Sequence, residues 1–145
     1  MSFQIISDGA CDLPKSYVEE NDIKLVPFYV SFGDEELHKE GSFITVEEFY
    51  TRMVENPTVF FFSSLPSVND YIDVFTPFVE KNIPILCICT DLQLSGSFNS
   101  ARMAKEVLED KYDSAKIKVI NSINITASQA VFVGEAIRMR DNGIE

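Results

Sequence analysis

The chain has 145 residues, a formal net charge of −11 and 46% hydrophobic residues. This length and composition predict a globular domain with a real core and exclude a disordered chain. The acidic balance excludes nucleic-acid binding through a basic surface, because the sequence has no basic stripe, and an anionic membrane would repel the protein. No apolar run approaches the ~20 residues of a membrane span, and the first residues lack the features of a secretory signal. We therefore expect a cytoplasmic protein without a membrane span.

Apolar patterns along the chain predict strands and helices in alternation, about five times. Such alternation is typical of a parallel sheet with helices on its faces. The predicted fold class is therefore α/β, with three layers (α/β/α) around a mainly parallel sheet. We expect residues 1–145 to form a single domain of this class. The predicted strands cover 4–8, 24–32, 58–62, 84–90 and 115–121, and the predicted helices cover 14–21, 45–56, 67–79, 98–108 and 127–140.

Local signals refine these predicted elements. Thr45 followed three residues later by Glu48 predicts a capping box at the start of a helix. Pro27 has no N–H group, so we expect an edge or irregular position in the second strand. Pro77 lies within a helical stretch and should kink or split it. The phenylalanine run over 60–62 predicts a central strand that is buried on both faces.

The three cysteines predict buried thiols and no disulfide framework. Cys87 and Cys89 lie in an apolar strand and Cys11 stands alone in a turn, which favours a reducing compartment. We expect the side chains of Cys87 and Cys89 to point to opposite faces of the sheet, an arrangement that disfavours a metal site. The sequence predicts no metal and no cofactor.

Two turns rich in serine each follow a predicted strand and precede a predicted helix. The first carries Ser63 and Ser64, and the second carries Ser95, Gly96 and Ser97. Open α/β sheets bind ligands at the carboxyl ends of their strands, so we expect both turns at one edge of the sheet. Hydroxyls, free N–H groups at a helix start and the close approach that Gly96 permits would together hold a small anion such as a carboxylate. Helix capping by the serines explains the same pattern equally well.

The remaining polar residues offer other sites. Asp12 is predicted to cap the first helix, with an acidic metal or receiver-type site formed by Asp8 and Asp12 as the alternative. His38 lies in a charged loop over 33–43, and we expect it to be a solvated surface residue. A Ser-His-Asp hydrolase would need His38 to reach a turn serine. The chain also has no Gly-x-Ser-x-Gly elbow, P-loop or Gly-x-Gly-x-x-Gly motif.

Six short motifs follow one another along the chain. They are 7–14 (Ser-Asp-Gly-Ala-Cys-Asp-Leu-Pro), 26–27 (Val-Pro), 45–50 (Thr-x-x-Glu-Phe-Tyr), 63–67 (Ser-Ser-Leu-Pro-Ser), 94–101 (Leu-Ser-Gly-Ser-Phe-Asn-Ser-Ala) and 119–122 (Val-Ile-Asn-Ser). In this ordered set the chain resembles the DegV family of bacterial fatty-acid-binding proteins. It departs from the family pattern at Ser63, where Thr is usual, at Leu65, where Gln is usual, and at Asn121, where Asp is usual.

The resemblance implies a long-chain fatty acid as ligand, with its carboxylate held by Ser63 and Ser95. We place Gly96 in the same site and regard Ser64 and Ser97 as further candidate contacts. The resemblance also implies a carrier without chemistry of its own, which presents the bound acid to a separate fatty-acid kinase. The family's usual protein has a second domain that covers the acyl chain, and we expect that domain to be absent from this chain. The alternative is an enzyme or regulatory domain that binds a phosphorylated metabolite at the same helix N-termini.

Overall fold

The computed structural model describes residues 3–33, 35–42 and 44–144, and the chain divides into two compact units. The larger unit consists of Met1–Val26 and Pro66–Glu145, and the smaller unit is Pro27–Leu65. The larger unit contains strands β1 (Gln4–Asp8), β2 (Ile23–Val26), β6 (Ile85–Cys89) and β7 (Ile117–Asn121) and helices α1 (Lys15–Glu20), α3 (Val68–Val79), α4 (Ser97–Lys111) and α5 (Thr126–Asp141). The smaller unit contains strands β3 (Tyr29–Phe32), β4 (His38–Lys39) and β5 (Phe61–Ser64) and helix α2 (Val46–Glu55).

A four-stranded parallel sheet in the order β2-β1-β6-β7 forms the centre of the larger unit. Ile6 of β1 pairs with Lys24 of β2 on one side and with Cys87 of β6 on the other. Parallel neighbours need long crossover connections, and helices provide them here. No helix among the described residues is long and apolar enough to cross a bilayer.

Helices pack on both faces of this sheet. Successive residues of a strand point to opposite faces, so Ile5 and Ile6 enter separate cores. Ile6 packs with Phe75 of α3 and with residues of α4, whereas Ile5 packs with Val133 of α5, and Val18 of α1 lies against that second core. The predicted three-layer α/β/α class with a mainly parallel sheet is therefore confirmed.

The smaller unit has a different architecture from the one predicted for its residues. Its strands form an antiparallel sheet in the order β4-β3-β5, in which Ser63 lies opposite Val30. The predicted strand over 24–32 is divided at Pro27 into β2 and β3, which belong to different sheets. Proline cannot donate to a strand ladder, so the chain leaves the parallel sheet at this point. The expected loop over 33–43 contains β4, and its residues Asp34 and Phe43 lie outside the described residues.

The prediction that 60–62 forms a strand buried on both faces was wrong. Phe60 and Phe62 expose 79% and 57% of their surface, and only Phe61 and Phe62 lie in a strand. Phe61 turns inward, where its ring lies 5.0 Å from that of Phe32 and 5.8 Å from that of Phe49. An antiparallel sheet can cover one face and leave the other open, which the hydrophobicity of the run does not reveal.

Local signals at the helix ends are mostly reproduced. Thr45 and Glu48 form the predicted capping box of α2, with the Glu48 N–H donating to the Thr45 hydroxyl at 3.2 Å. Ser67 and Asp70 form a second capping box at the start of α3. Helix α3 continues without a split through Pro77, which lies in its last turn.

The prediction for Cys87 and Cys89 was wrong. Residues two apart in a strand share a face, and both thiols lie in the core under α3 and α4 with their sulfur atoms 3.7 Å apart. Burial raises the pKa of Cys87 well above its usual value, so this thiol stays protonated. Within the described ranges, no group of three or more His, Cys, Asp or Glu residues is arranged to hold a metal ion.

Candidate functional site

The loop between β6 and α4 presents a free hydroxyl at the carboxyl edge of the parallel sheet. Ser95 is half-buried, and its Oγ atom accepts a hydrogen bond from the Ser97 N–H at 3.2 Å. Among the described residues, no acceptor is present for the Ser95 hydroxyl hydrogen. A hydroxyl has one donor and two acceptor positions, so Ser95 can still donate to a ligand.

Backbone N–H groups lie next to this hydroxyl. Helix α4 has 15 residues and begins at Ser97, with Gly96 in the N-cap position. The first N–H groups of a helix have no intrahelical acceptor and carry a positive partial charge. Over the part of the chain that the structure describes, the N–H groups of Gly96, Phe98 and Asn99 find no other acceptor. Together with Ser95 they form a set of neutral donors that suits a carboxylate.

Hydrogen bonds within the loop fix its course before it reaches α4. The N–H groups of Leu94 and Ser95 both donate to the carbonyl of Asp91, at 2.9 and 3.0 Å. The Asn121 side-chain oxygen accepts a hydrogen bond from the Leu92 N–H at 3.1 Å. Asn121 stands where the family usually has Asp, and the amide oxygen supplies the acceptor that a carboxylate would supply.

The Asp8 carboxylate lies directly behind the loop and is fully buried. Its Oδ2 atom accepts hydrogen bonds from the Thr90 N–H at 2.9 Å and from the Ser97 hydroxyl at 2.6 Å. Its Oδ1 atom accepts a hydrogen bond from Gln129 Nε2 at 2.9 Å. A buried carboxylate is tolerated when donors satisfy its lone pairs, and here Thr90, Ser97 and Gln129 provide them.

The hydroxyl of Ser97 points into the core and not towards a ligand. Ser97 is fully buried, and its single hydroxyl hydrogen is donated to Asp8. Tyr71 Oη lies 2.6 Å from the Ser97 Oγ, so Tyr71 must be the donor of that hydrogen bond. Burial raises the pKa of Tyr71 well above its usual value, which keeps its proton in place. Ser97 therefore has no hydrogen to offer a ligand, and we leave it out of the proposed site.

The first serine motif belongs to the smaller unit. Ser63 and Ser64 are the last two residues of β5, not part of the turn in which they were predicted. Ser63 is exposed and Ser64 is half-buried, and neither hydroxyl has a hydrogen bond to another described residue. The predicted placement of both serine motifs after strands of one sheet was wrong, because β5 and β6 belong to different sheets. The joint action of Ser63 and Ser95 on one carboxylate stays a prediction.

Two further sequence predictions are corrected. Asp12 does not cap α1, because the N-cap residue is Pro14 and Asp12 adopts a left-handed backbone conformation after the short 3-10 turn Gly9–Cys11. His38 lies in β4 opposite Val30 and is half-buried, so it is not a fully solvated loop residue.

Sequence reasoning missed Gln129, which donates to the buried carboxylate, and Tyr71, which donates to Ser97. Gln129 is fully buried in α5 and is a polar residue in the apolar stripe that continues with Val133 and Ile137. A polar side chain at a stripe position of a helix is the signal that indicates a buried partner. Tyr71 gives no such signal, because its ring fits an apolar stripe equally well.

Known proteins match this chain over nearly its whole length. The family model described as "Uncharacterised protein, DegV family" matches residues 2–145. A DegV domain-containing protein of Clostridium perfringens is 31% identical over 144 residues, which cover 97% of this chain and 48% of that protein.

Solved structures give the same match. A fat acid (stearic acid)-binding protein from Eubacterium ventriosum has 43% identity and a TM-score of 0.95 over 99% of this chain and 49% of its own. The fatty acid kinase B3 protein of Streptococcus pneumoniae, solved with linoleic acid, has 23% identity and a TM-score of 0.81 over 100% of this chain and 50% of its own, which shows the shared fold alone. The chain thus spans about half the length of the relatives it matches. By the family match and these relatives, this chain belongs to the DegV family.

Proposed function

We propose that this chain binds a long-chain fatty acid and holds its carboxylate at the N-terminus of α4. The unused donors of one loop carry this proposal: the Ser95 hydroxyl and the N–H groups of Gly96, Phe98 and Asn99. They are neutral, and a phosphate site would more often include Lys or Arg, which this loop lacks. The Eubacterium ventriosum protein, described as binding stearic acid, supports a fatty acid as the ligand.

Ser63 is proposed as the second hydroxyl donor to the same carboxylate, and Ser64 as a further contact. The motif over 63–67 supports this assignment, together with the exposure of Ser63 and the lack of a hydrogen-bond partner for its hydroxyl among the described residues. Leu65 stands where the family usually has Gln and supplies no polar group. The head group would therefore be held by hydroxyls and backbone N–H groups.

A carrier role follows from the same assignment. We propose that the chain acts as a fatty-acid carrier and presents the bound acid to a separate fatty-acid kinase, as its resemblance to the DegV family implies. We place it in a reducing cytoplasm, which is consistent with three free and buried cysteines.

Native mass spectrometry of protein purified from bacteria tests the ligand class. We expect a co-purifying mass that matches a fatty acid and is released by denaturation. A bound sugar phosphate or nucleotide would contradict the proposal and favour the phosphorylated-metabolite alternative.

Single alanine substitutions test the carboxylate donors. Ser95→Ala and Ser63→Ala should each weaken oleate binding roughly tenfold to a hundredfold, because a hydrogen bond to a charged group contributes ~1.5–3 kcal/mol. The double variant should lose less than the sum, since both hydroxyls serve one group. Ser114→Ala is the matched control, because Ser114 is exposed in the turn before β7. Calorimetric titration with oleate and with its uncharged methyl ester measures the effect, and unchanged oleate affinity in both single variants would remove the serines from the site.

Activity-based labelling tests the absence of catalysis by the site. No described residue pairs with the Ser95 hydroxyl as a general base, so Ser95 should not react with a fluorophosphonate probe. A stoichiometric adduct on Ser95 would instead favour a hydrolase.

A further inference from the structure

Both ends of the loop that carries Ser95 and Gly96 are attached to one buried oxygen atom. Asp8 Oδ2 accepts the Thr90 N–H, which precedes the loop, and the Ser97 hydroxyl, which follows it. The residues between these two anchors are 91–96. We infer that Asp8 is a positioning residue, which fixes the donors at the N-terminus of α4 for a carboxylate ligand that it does not touch; this inference rests on the proposed function.

The two anchors are not equivalent. On the Thr90 side the loop has additional attachments, because the Thr90 hydroxyl and the Asp91 N–H donate to the Asn124 carbonyl at 3.2 and 3.0 Å. On the α4 side, the Ser97 hydroxyl makes the side-chain bond that ties the start of the helix to β1, within the described residues. Loss of the hydrogen bond from the Ser97 hydroxyl to Asp8 should therefore loosen the loop more than loss of the Thr90 hydrogen bond to Asp8.

The direction of the hydrogen bonds shows that the Ser97 hydroxyl is already used as a donor, whereas the Ser95 hydroxyl is not. Tyr71 donates to Ser97, and Ser97 donates to Asp8, so both of these hydroxyl hydrogens point inward. The Ser97 N–H donates to the Ser95 Oγ, which orients the Ser95 hydroxyl so that its own hydrogen remains available. A shift of Ser97 would thus displace the Ser95 donor directly.

Asp8 lies close to the positive end of α4, yet it leaves the backbone N–H donors there unused. It takes its hydrogen bonds from a strand-end N–H and from two side chains, those of Ser97 and Gln129. In the first turn of α4, the N–H groups of Phe98 and Asn99 remain without acceptors among the residues described. The buried carboxylate therefore holds the loop without competing for the backbone N–H groups that a ligand would use.

Ser97→Ala is the test variant, and Gln129→Met is its matched control. Ser97→Ala removes the hydrogen bond from the Ser97 hydroxyl to Asp8 without removing any group that faces a ligand. Gln129→Met instead breaks the hydrogen bond to Asp8 Oδ1, on the side of the carboxylate away from the loop. Both variants disturb the same buried carboxylate and should fold less stably than the parent. Asp8→Asn is the conservative variant. Its amide oxygen can still accept the hydrogen bonds from the Thr90 N–H and the Ser97 hydroxyl at the two ends of the loop.

We expect Ser97→Ala to weaken oleate binding about tenfold, as when only about a tenth of the molecules keep the binding-competent loop. The oleate affinities of Gln129→Met and Asp8→Asn should remain within about threefold of the parent value, because most molecules keep the binding-competent loop. In hydrogen exchange, Ser97→Ala should speed exchange at Leu94, Ser95 and residue 97 and leave the amides of β6 unchanged. A purely structural role would instead raise exchange across the whole larger unit.

The two readouts distinguish the possible failures. If the parent chain does not bind oleate, the proposed function is wrong. Hydrogen exchange at the loop amides then decides by itself whether Asp8 holds the loop in place. If the parent binds oleate and Ser97→Ala binds it equally well, or Gln129→Met loses as much affinity as Ser97→Ala, the positioning role is wrong. Unchanged loop exchange in Ser97→Ala would also overturn it.

Discussion

In the larger unit the aromatic side chains of Tyr71 and Phe75 are fully buried between α3 and the parallel sheet, with their ring centroids 5.6 Å apart. In the smaller unit Phe60 and Phe62 expose 79% and 57% of their surface. A sheet with helices on both faces can bury apolar side chains on both of those faces, and an antiparallel sheet need cover only one face. Aromatic residues are thus a poor guide to the location of the core unless the layers around them are known.

The difference between the units should be largest in the free energy of unfolding. Phe75→Ala opens a cavity in the core of the larger unit and should lower that free energy by about 3–5 kcal/mol. Phe62→Ala, its matched control in the smaller unit, removes a largely exposed ring and should cost about 0.5 kcal/mol or less. Urea unfolding followed by circular dichroism measures both. Equal losses would show that the outer face of β5 is packed in solution.

A second, smaller effect compares two capping boxes of the same kind. Thr45→Ala in α2 and Ser67→Ala in α3 each remove a hydroxyl cap and should cost about 1 kcal/mol. Helix α2 has no buried residue and α3 has four, so we expect the two losses to appear differently. Ser67→Ala should lower the global free energy of unfolding, and Thr45→Ala should mainly speed amide exchange within α2. Should Thr45→Ala lower global stability as much as Ser67→Ala does, the smaller unit would unfold together with the larger one.

The sequence predicts the larger unit well because its signals are local and agree with one another. Apolar strands, turns and helical stripes alternate there, and each stripe faces the sheet that the neighbouring strands form. The motif 94–101 also falls at the start of α4, where parallel strands and helix N-termini place ligands. These features depend on neighbours in sequence, and periodicity reports them directly.

The errors about β3, β5 and Ser97 concern pairings between distant residues. The change of sheet at Pro27 and the antiparallel partner of β5 depend on which strands meet, which a single strand pattern does not encode. The bond from Ser97 to Asp8 joins residues 89 positions apart, so Ser97 resembles a ligand contact in the sequence although its hydroxyl faces inward. The donors of the Ser95 loop were predictable, and the residue that holds them in place was not.

The smallest effect is a difference in the titration of one carboxylate in each unit. Hydrogen bonds from the Thr45 backbone N–H and hydroxyl lower the pKa of Glu48 in the smaller unit. In the larger unit, the hydrogen bonds and charge of Arg138 lower the pKa of Glu135. A lowered pKa in the folded state means that each interaction stabilises the fold above the ordinary glutamate pKa. That stabilisation is lost as the pH falls through the lowered value.

The causes of the two shifts differ, so two perturbations should separate them. Thr45→Ala should raise the pKa of Glu48 towards its ordinary value and leave that of Glu135 unchanged, because only Glu48 depends on the cap. Added salt should raise the pKa of Glu135 more than that of Glu48, because an exposed ion pair is screened by salt and a backbone cap is affected less. Carboxyl-carbon chemical shifts recorded by NMR between acidic and neutral pH measure both values. A Glu48 pKa that responds to salt as strongly as that of Glu135 would mean that nearby Arg52, and not the capping box, dominates the carboxylate in α2.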